Sequence, residues 1–149
     1  MAIERSFAML KPGVTHRRLV GEVISRIERK TLKIIALKMM RLDRDLVERH
    51  YAEHKGKVFY EKLVEYMISG PVVAMIIEGE GAIDYLRKLA GATNPAEAQT
   101  GTIRGDYAIQ TRVNIIHASD SPDSARREIG LFFREDEIFP WEDGNDAWY

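Results

Sequence analysis

No cysteine occurs in the 149 residues, so the chain can build neither a disulfide framework nor a thiolate metal site, and it is compatible with a reducing compartment such as the cytosol. An excess of one charge is also missing. Twenty-two Lys and Arg against 23 Asp and Glu give a formal net charge of -1, which exerts no general pull toward nucleic acid or an anionic membrane. Any phosphate binding must come from a local cluster. The first residues, M-A-I-E-R-S, hold no apolar signal core, and no run approaches the roughly 18 apolar residues of a membrane helix. A soluble, cytoplasmic protein is expected. Three nucleotide signatures are absent as well. There is no G-x-x-x-x-G-K-[ST] loop, Gly79-Glu80-Gly81 lacks the third glycine of a dinucleotide fingerprint, and the protein-kinase motifs do not occur. If phosphate is handled, dispersed side chains handle it.

Hydrophobic residues at 45% and charged residues at 30% describe a globular chain with a full core. Its length fits one domain over residues 1–149. Ser6 to Leu10 forms a short apolar run before Lys11-Pro12-Gly13, read as a strand followed by a turn. Val20, Val23, Ile24 and Ile27 follow helical spacing. Lys33 to Leu42 reads as a second strand, and Asp43 as the N-cap of a helix carrying Leu46, Val47 and His50. After Lys55-Gly56-Lys57 the helical pattern resumes with Phe59, Leu63, Val64 and Met67, then stops at Ser69-Gly70-Pro71. Val72 to Ile77 is continuously apolar, the mark of a strand buried on both faces. A helix from Ala82 to about Leu89 comes next, then a long loop from Gly91 to Gly105 of the kind that is usually functional. Ile109 to Ile116 reads as the last strand, and residues 123–133 as the last helix. The acidic tail carries Trp141, Trp148 and Tyr149, aromatics expected to dock on the body or on a neighbouring subunit. Four strands with helices between them in a β-α-β-β-α-β plan predict a ferredoxin-like α+β sandwich, with a four-stranded antiparallel sheet.

The last strand leads into Asn114 to Ser121, N-I-I-H-A-S-D-S, where His117 stands between an apolar strand and several helix N-cap candidates. An imidazole facing a helix start suits phosphate or acyl chemistry, although a histidine after an apolar strand is also a common structural residue. His50, Glu53 and His54 spell H-x-x-E-H, a zinc spacing on a helix. Lys55-Gly56-Lys57 ends that helix with positive charge and no third ligand is evident, so zinc is not favoured. Lys11 after the first strand, Arg87 before the long loop and Arg104 at its close form a better constellation. Arginine offers a planar fork for two phosphate oxygens and lysine a mobile point charge.

N-I-I-H-A-S-D-S resembles the active-site signature of the nucleoside diphosphate kinases. E-R-S-F-A-M-L-K-P, H-Y-A-E-H-K-G-K-V-F-Y, S-G-P-V-V-A-M, G-A-T-N-P-A-E-A and G-T-I-R-G-D-Y follow the family's order and spacing, so the likeness spans almost the whole chain. It implies that His117 accepts the γ-phosphoryl group of a nucleoside triphosphate and passes it, through phosphohistidine, to a nucleoside diphosphate. It implies further that Lys11 and Asn114 contact the sugar hydroxyls, that Arg87, Thr93 and Arg104 hold the terminal phosphates, and that Phe59 stacks on the base. Tyr51, Ser119 and Glu128 match positions that orient the histidine and its phosphoryl acceptor. Mg2+ would ride on the nucleotide phosphates rather than in a protein cage. ATP and other nucleoside di- and triphosphates would be the partners, and the assembly a homo-oligomer, with Pro95 and the aromatic tail closer to a hexamer than a tetramer. Phosphoryl transfer asks a protein mainly for alignment and fixed charge, and stacking on Phe59 tolerates any base.

Two residues keep a plainer reading. Phe59 on an apolar helical face also fits ordinary core, and Glu128 near a helix start fits a dipole role. Gly13, Thr15, His16, Val58, Thr100, Arg112 and Val113 depart from the family's usual residues, which bears on the rigidity of the nucleotide-gripping segments. A non-enzymatic nucleotide- or RNA-binding module of the same fold is the alternative. It would need exposed aromatics in a K/R-G-F/Y-G/A-F-V strand and a basic face, neither of which is seen.

Overall fold

The structure is a computed structural model and describes residues 2–148, without the side chains of Arg112 and Asp146. The aromatic at Tyr149 and the Arg112 side chain therefore lie outside the described residues. Four strands, β1 (Ile3–Leu10), β2 (Lys33–Met40), β3 (Val72–Glu80) and β4 (Ile116–Ala118), form one sheet in the order β2-β3-β1-β4 with every neighbouring pair antiparallel. This is the expected ferredoxin-like arrangement.

Alternation along the two central strands sends side chains to both faces. Ala8, Leu10, Val73, Met75 and Ile77 enter one core layer, where they meet Val23 and Ile27 of α2 (Val20–Arg29) and Leu86 and Ala90 of α5 (Ala82–Ala90). Phe7, Met9, Val72, Ala74 and Ile76 enter the other, against Val47 of α3 (Arg44–His50), Val64 and Met67 of α4 (Tyr60–Ile68) and Phe132 of α7 (Pro122–Phe132). Burial of each such side chain is worth roughly 1.5–3 kcal/mol. The run at 72–77 is continuous because both faces of β3 are covered. Asp43 caps α3 as expected, its carboxylate accepting the Leu46 N–H at 2.8 Å.

Four local expectations are corrected. The Pro12-Gly13 turn is instead the start of a short helix, α1 (Pro12–His16), where Pro12 occupies a first-turn position that needs no N–H. The strand expected from Ile109 shrinks to three residues. Ile109 is 89% exposed, Thr111–Val113 is a 3-10 turn, and His117 falls in the middle of β4 rather than after a strand. β-branched residues raise strand propensity, but a strand needs a partner, and β1 offers β4 only Ala8 to Leu10. The long loop is shorter than expected, because it is broken by a 3-10 turn at Pro95–Glu97 and ends in α6 (Ile103–Tyr107), which Thr102 caps by accepting the Gly105 N–H at 3.0 Å. Phe59 lies at the N-cap of α4 and is 46% exposed, so it is not core.

The tail docks at the far side of the sheet. The Phe139 N–H donates to Ile35 O at 2.8 Å and the Trp141 indole N–H to Ile34 O at 3.1 Å. Trp148 stays exposed.

Candidate active site

β4 decides the geometry. His117 sits opposite Met9 of β1, and its side chain is 22% exposed. Its Nε2 lies 2.9 Å from Oε2 of Glu128, on the second turn of α7. Oε1 of the same carboxylate accepts the Ser119 hydroxyl at 2.6 Å. Ser119 is itself fixed by the Phe7 N–H, which donates to its Oγ at 3.2 Å. An ionised carboxylate only accepts, so this contact puts the imidazole proton on Nε2 and leaves the Nδ1 lone pair for chemistry. Glu128 is buried in mid-helix, so the helix-dipole reading of this residue does not apply. The link between His117 and the last helix runs through this side chain, while Ser121 turns back to cap α7 by accepting the Ser124 N–H.

The three cations converge on the same strand from three elements. The residues 115 and 119 that flank β4 bond toward β1, through Lys11 N–H to Ile115 O and Ser119 N–H to Phe7 O, each at 3.0 Å. The alternating carbonyls of Ile116 and Ala118 take arginines instead. Arg104 Nη2 donates to Ile116 O at 2.7 Å and Arg87 Nη1 to Ala118 O at 3.1 Å. Arg104 Nη1 also holds Gly91 O at 2.6 Å. Gly91 has φ of +88°, and a Cβ there would meet the Thr102 hydroxyl at 2.4 Å, so glycine is required where α5 gives way to the loop. Lys11 Nζ donates to Asn114 Oδ1 at 2.8 Å, and Asn114 Nδ2 donates to the carbonyl of exposed Thr93 at 3.2 Å.

Gathering these cations costs charge stability. Burial, with Arg104 nearby, pushes Lys11 down to about 7 from 10.5. Burial, with Arg87 nearby, pushes Arg104 down to about 10. Like charges packed together, with no carboxylate of the described residues in salt-bridge contact although Asp120 feels the Arg87 charge, are the electrostatic pattern of an anion site. Two donors in the same neighbourhood, Nε of Arg104 and the Tyr51 hydroxyl, are buried with no hydrogen-bond partner. Tyr51 is pushed well above its ordinary pKa by burial and the Glu128 charge, so its hydroxyl keeps its proton.

Among the expected site residues, Lys11, Asn114 and Thr93 form one chain of hydrogen bonds, His117, Ser119 and Glu128 a second, and Arg87 and Arg104 grip the strand between them. Tyr51 stands at the end of α3, its ring 4.4 Å from that of His50. Phe59 stands apart at the surface, 5.7 Å from the His54 ring. The H-x-x-E-H spacing does not form a site, because α3 ends at His50 and His54 lies on a 3-10 turn beside Lys57.

The placement of His50 beside His117 and the tie made by Tyr66 escape sequence reasoning. His50 is buried with its ring 4.6 Å from that of His117. Tyr66 accepts the Gly13 N–H at 3.1 Å and donates to Asn114 O at 3.4 Å, tying α1 to the site. A Cβ at residue 13 would stand 2.8 Å from that hydroxyl, so the unusual Gly13 makes room for the tie. No short-range signal marks either residue, since each acts across the fold.

A ferredoxin-like α+β domain with a carboxylate-held histidine beside clustered cations is a phosphate-handling domain by its chemistry. Residues 4–138 match the nucleoside diphosphate kinase family. The chain is 57% identical over 146 residues to the nucleoside diphosphate kinase of Archaeoglobus fulgidus, covering 98% of this chain and 97% of that one. It is 59% identical over 140 residues to that of Methanobrevibacter smithii, covering 94% and 93%. The halophilic nucleoside diphosphate kinase of Halobacterium salinarum in complex with CDP superposes with a TM-score of 0.96 at 45% identity, over 99% of this chain and 98% of that one. The chain belongs to the nucleoside diphosphate kinase family. That membership sets aside the non-enzymatic alternative. No described helix is long and apolar enough to cross a membrane.

Proposed function

We propose that this single-domain nucleoside diphosphate kinase, spanning 1–149, transfers the γ-phosphoryl group between nucleotides by a ping-pong mechanism through His117. The observation that carries the reading is the 2.9 Å contact from Nε2 to Glu128, which leaves Nδ1 as the nucleophile. In the first half-reaction Nδ1 attacks the γ-phosphorus, the N–P bond forms, the bond to the bridging oxygen breaks and the diphosphate leaves. In the second, a β-phosphate oxygen of another nucleoside diphosphate takes the phosphoryl group and the imidazole is regenerated. Glu128, held by Ser119, stabilises the charge that develops on the ring.

Arg87, Arg104 and Thr93 hold the terminal phosphates, with each charge-assisted hydrogen bond worth roughly 1.5–3 kcal/mol. The unpartnered donors on Arg104 and Tyr51 fit the same anion. Lys11 and Asn114 contact the sugar hydroxyls, with Lys11 also near the transferred group. Phe59, half-exposed at the surface, offers a stacking face that reads no base edge, so base specificity is broad. CDP in the Halobacterium relative is a ligand of this class.

Magnesium would arrive on the substrate. Among the described residues the grouped metal-ligating side chains are His50, His117 and Glu128, a nitrogen-rich set, whereas Mg2+ takes oxygen ligands and commonly sits on substrate phosphates. When bound, it neutralises charge on the phosphates. A homo-oligomer suits the exposed Leu37 and Met39 on edge strand β2, and the choice of a hexamer over a tetramer rests on the resemblance at Pro95 and the aromatic tail. The cysteine-free composition suits the cytoplasm.

Incubation with γ-labelled ATP tests the nucleophile. About one acid-labile, alkali-stable label per chain is expected, and none in His117→Gln. Equal labelling of that variant would remove His117 from the mechanism.

A further inference from the structure

We propose that His50, His117 and Glu128 form a binding site for a divalent transition metal of the zinc class, and that metal and phosphoryl group compete for His117. One ligand atom from each residue lies within 4.8 Å of the others. Oε2 of Glu128 is the common neighbour, 2.9 Å from His117 Nε2 and 4.0 Å from His50 Nδ1. Two imidazoles and one carboxylate are a known zinc ligand set, with the fourth position open to water. Ligand atoms around tetrahedral zinc lie about 3.3 Å apart, given bonds of about 2.0–2.1 Å.

His50 is the independent observation. It is 97% buried by its 3% exposure, and neither ring nitrogen has a hydrogen-bond partner. A buried polar group left unsatisfied costs about 1–3 kcal/mol, and this one serves no step of phosphoryl transfer. Phe7 and Phe132 pack against it, ring centroids 6.1 and 5.3 Å away, and supply the apolar shell that strengthens metal–ligand electrostatics. Arg127, 3.9 Å from Glu128, is half-exposed, so solvent screens its repulsion.

Coordination replaces the Nε2–H···Oε2 hydrogen bond. The ring changes tautomer: its proton leaves Nε2 and, by way of solvent, settles on Nδ1, so Nε2 offers its lone pair to the metal and Nδ1 no longer carries one for phosphorus. The metal-loaded enzyme is therefore a poor phosphoryl acceptor. This last consequence rests on His117 as carrier, whereas the binding itself does not.

Co2+ titrated into nucleotide-free enzyme is the test. Tetrahedral d–d absorption saturating at one metal per chain is expected. His50→Leu, which fills the apolar pocket, should lower the affinity at least about 10- to 100-fold, the loss seen even for outer-shell partners. Absence of the absorption, or its full retention in His50→Leu, overturns the site. If that variant does not fold, anomalous diffraction at the zinc edge from Zn2+-soaked wild-type crystals decides. A peak among the three residues supports the site, and a peak only elsewhere, or none, overturns it. Phosphoryl labelling without transition metal reports separately on His117 as carrier.

Discussion

The two edges of the sheet are treated in opposite ways. At one edge, β4 is only three residues long, and its outer carbonyls are taken by Arg104 and Arg87. At the other, β2 runs for eight residues, the tail bonds to the Ile34 and Ile35 carbonyls, and Leu37 and Met39 stand 52% and 61% exposed. An open strand edge is a row of unpaired donors and acceptors. One edge uses that row to hold cations beside His117; the other leaves much of it open, where the proposed second copy of the chain would dock. An edge carbonyl thus substitutes for the carboxylate that would otherwise pair with a buried arginine and cancel its charge.

Removing the cation is the severest way to break the β4 edge. Arg104→Met leaves the Gly91 and Ile116 carbonyls without a donor, at about 1–3 kcal/mol each where buried, and it deletes a phosphate ligand. Turnover in a coupled ATP and nucleoside diphosphate assay should fall about 10²- to 10³-fold, with a lower Tm. Unchanged turnover would mean that Arg104 only braces the loop.

Charge at the same edge is next. Lys11 is held at about 7, below its ordinary 10.5, so between those values the unfolded chain binds more protons and stability rises with pH. Below about pH 7 the lysine is charged in both states and its burial penalty is fully felt. A bound anion restores the charge, so nucleotide binding should take up close to no proton from Lys11 near pH 6 and approach about one near pH 9. Calorimetry in buffers of different ionisation enthalpy measures this uptake, and Lys11→Met should flatten it. A profile that is already flat in the wild type would show that no cation is neutralised.

The β2 edge is probed by charge as well. Leu37→Lys with Met39→Lys should lower the mass found by sedimentation while the far-UV circular dichroism stays unchanged, because both side chains are exposed. A mass that does not move would place the subunit contact elsewhere. The smallest effect is expected from Tyr66→Phe, which removes the tie from Gly13 to Asn114. It should cost about 1 kcal/mol of stability and raise KM a few-fold with little change in kcat, read from steady-state kinetics. An equal fall in kcat would mean that Tyr66 also supports His117.

Legibility followed the range of the forces involved. The covered faces of β3, the amphipathic α2 and the Asp43 cap were plain from local pattern, because burial on one face or both leaves a period in the chain. The shortened β4 and the helix at Pro12 are not visible in local pattern, since each depends on what the rest of the fold has available across the chain. The H-x-x-E-H spacing, already disfavoured in the sequence by Lys55-Gly56-Lys57, forms no pair because the end of α3 separates His50 from His54, and His50 lies beside His117 and Glu128.

The sequence by itself determined the sandwich, the motif around His117 and the set of cations, because strand and helix periods and residue chemistry are local properties. Only the tertiary structure decided that Ile116 and Ala118 carbonyls hold the arginines, that Glu128 sets the His117 tautomer, and that His50 is left buried without a partner. Those are contacts between residues far apart in the chain, and their energies come from burial and charge that exist only once the sheet and its helices have closed around them.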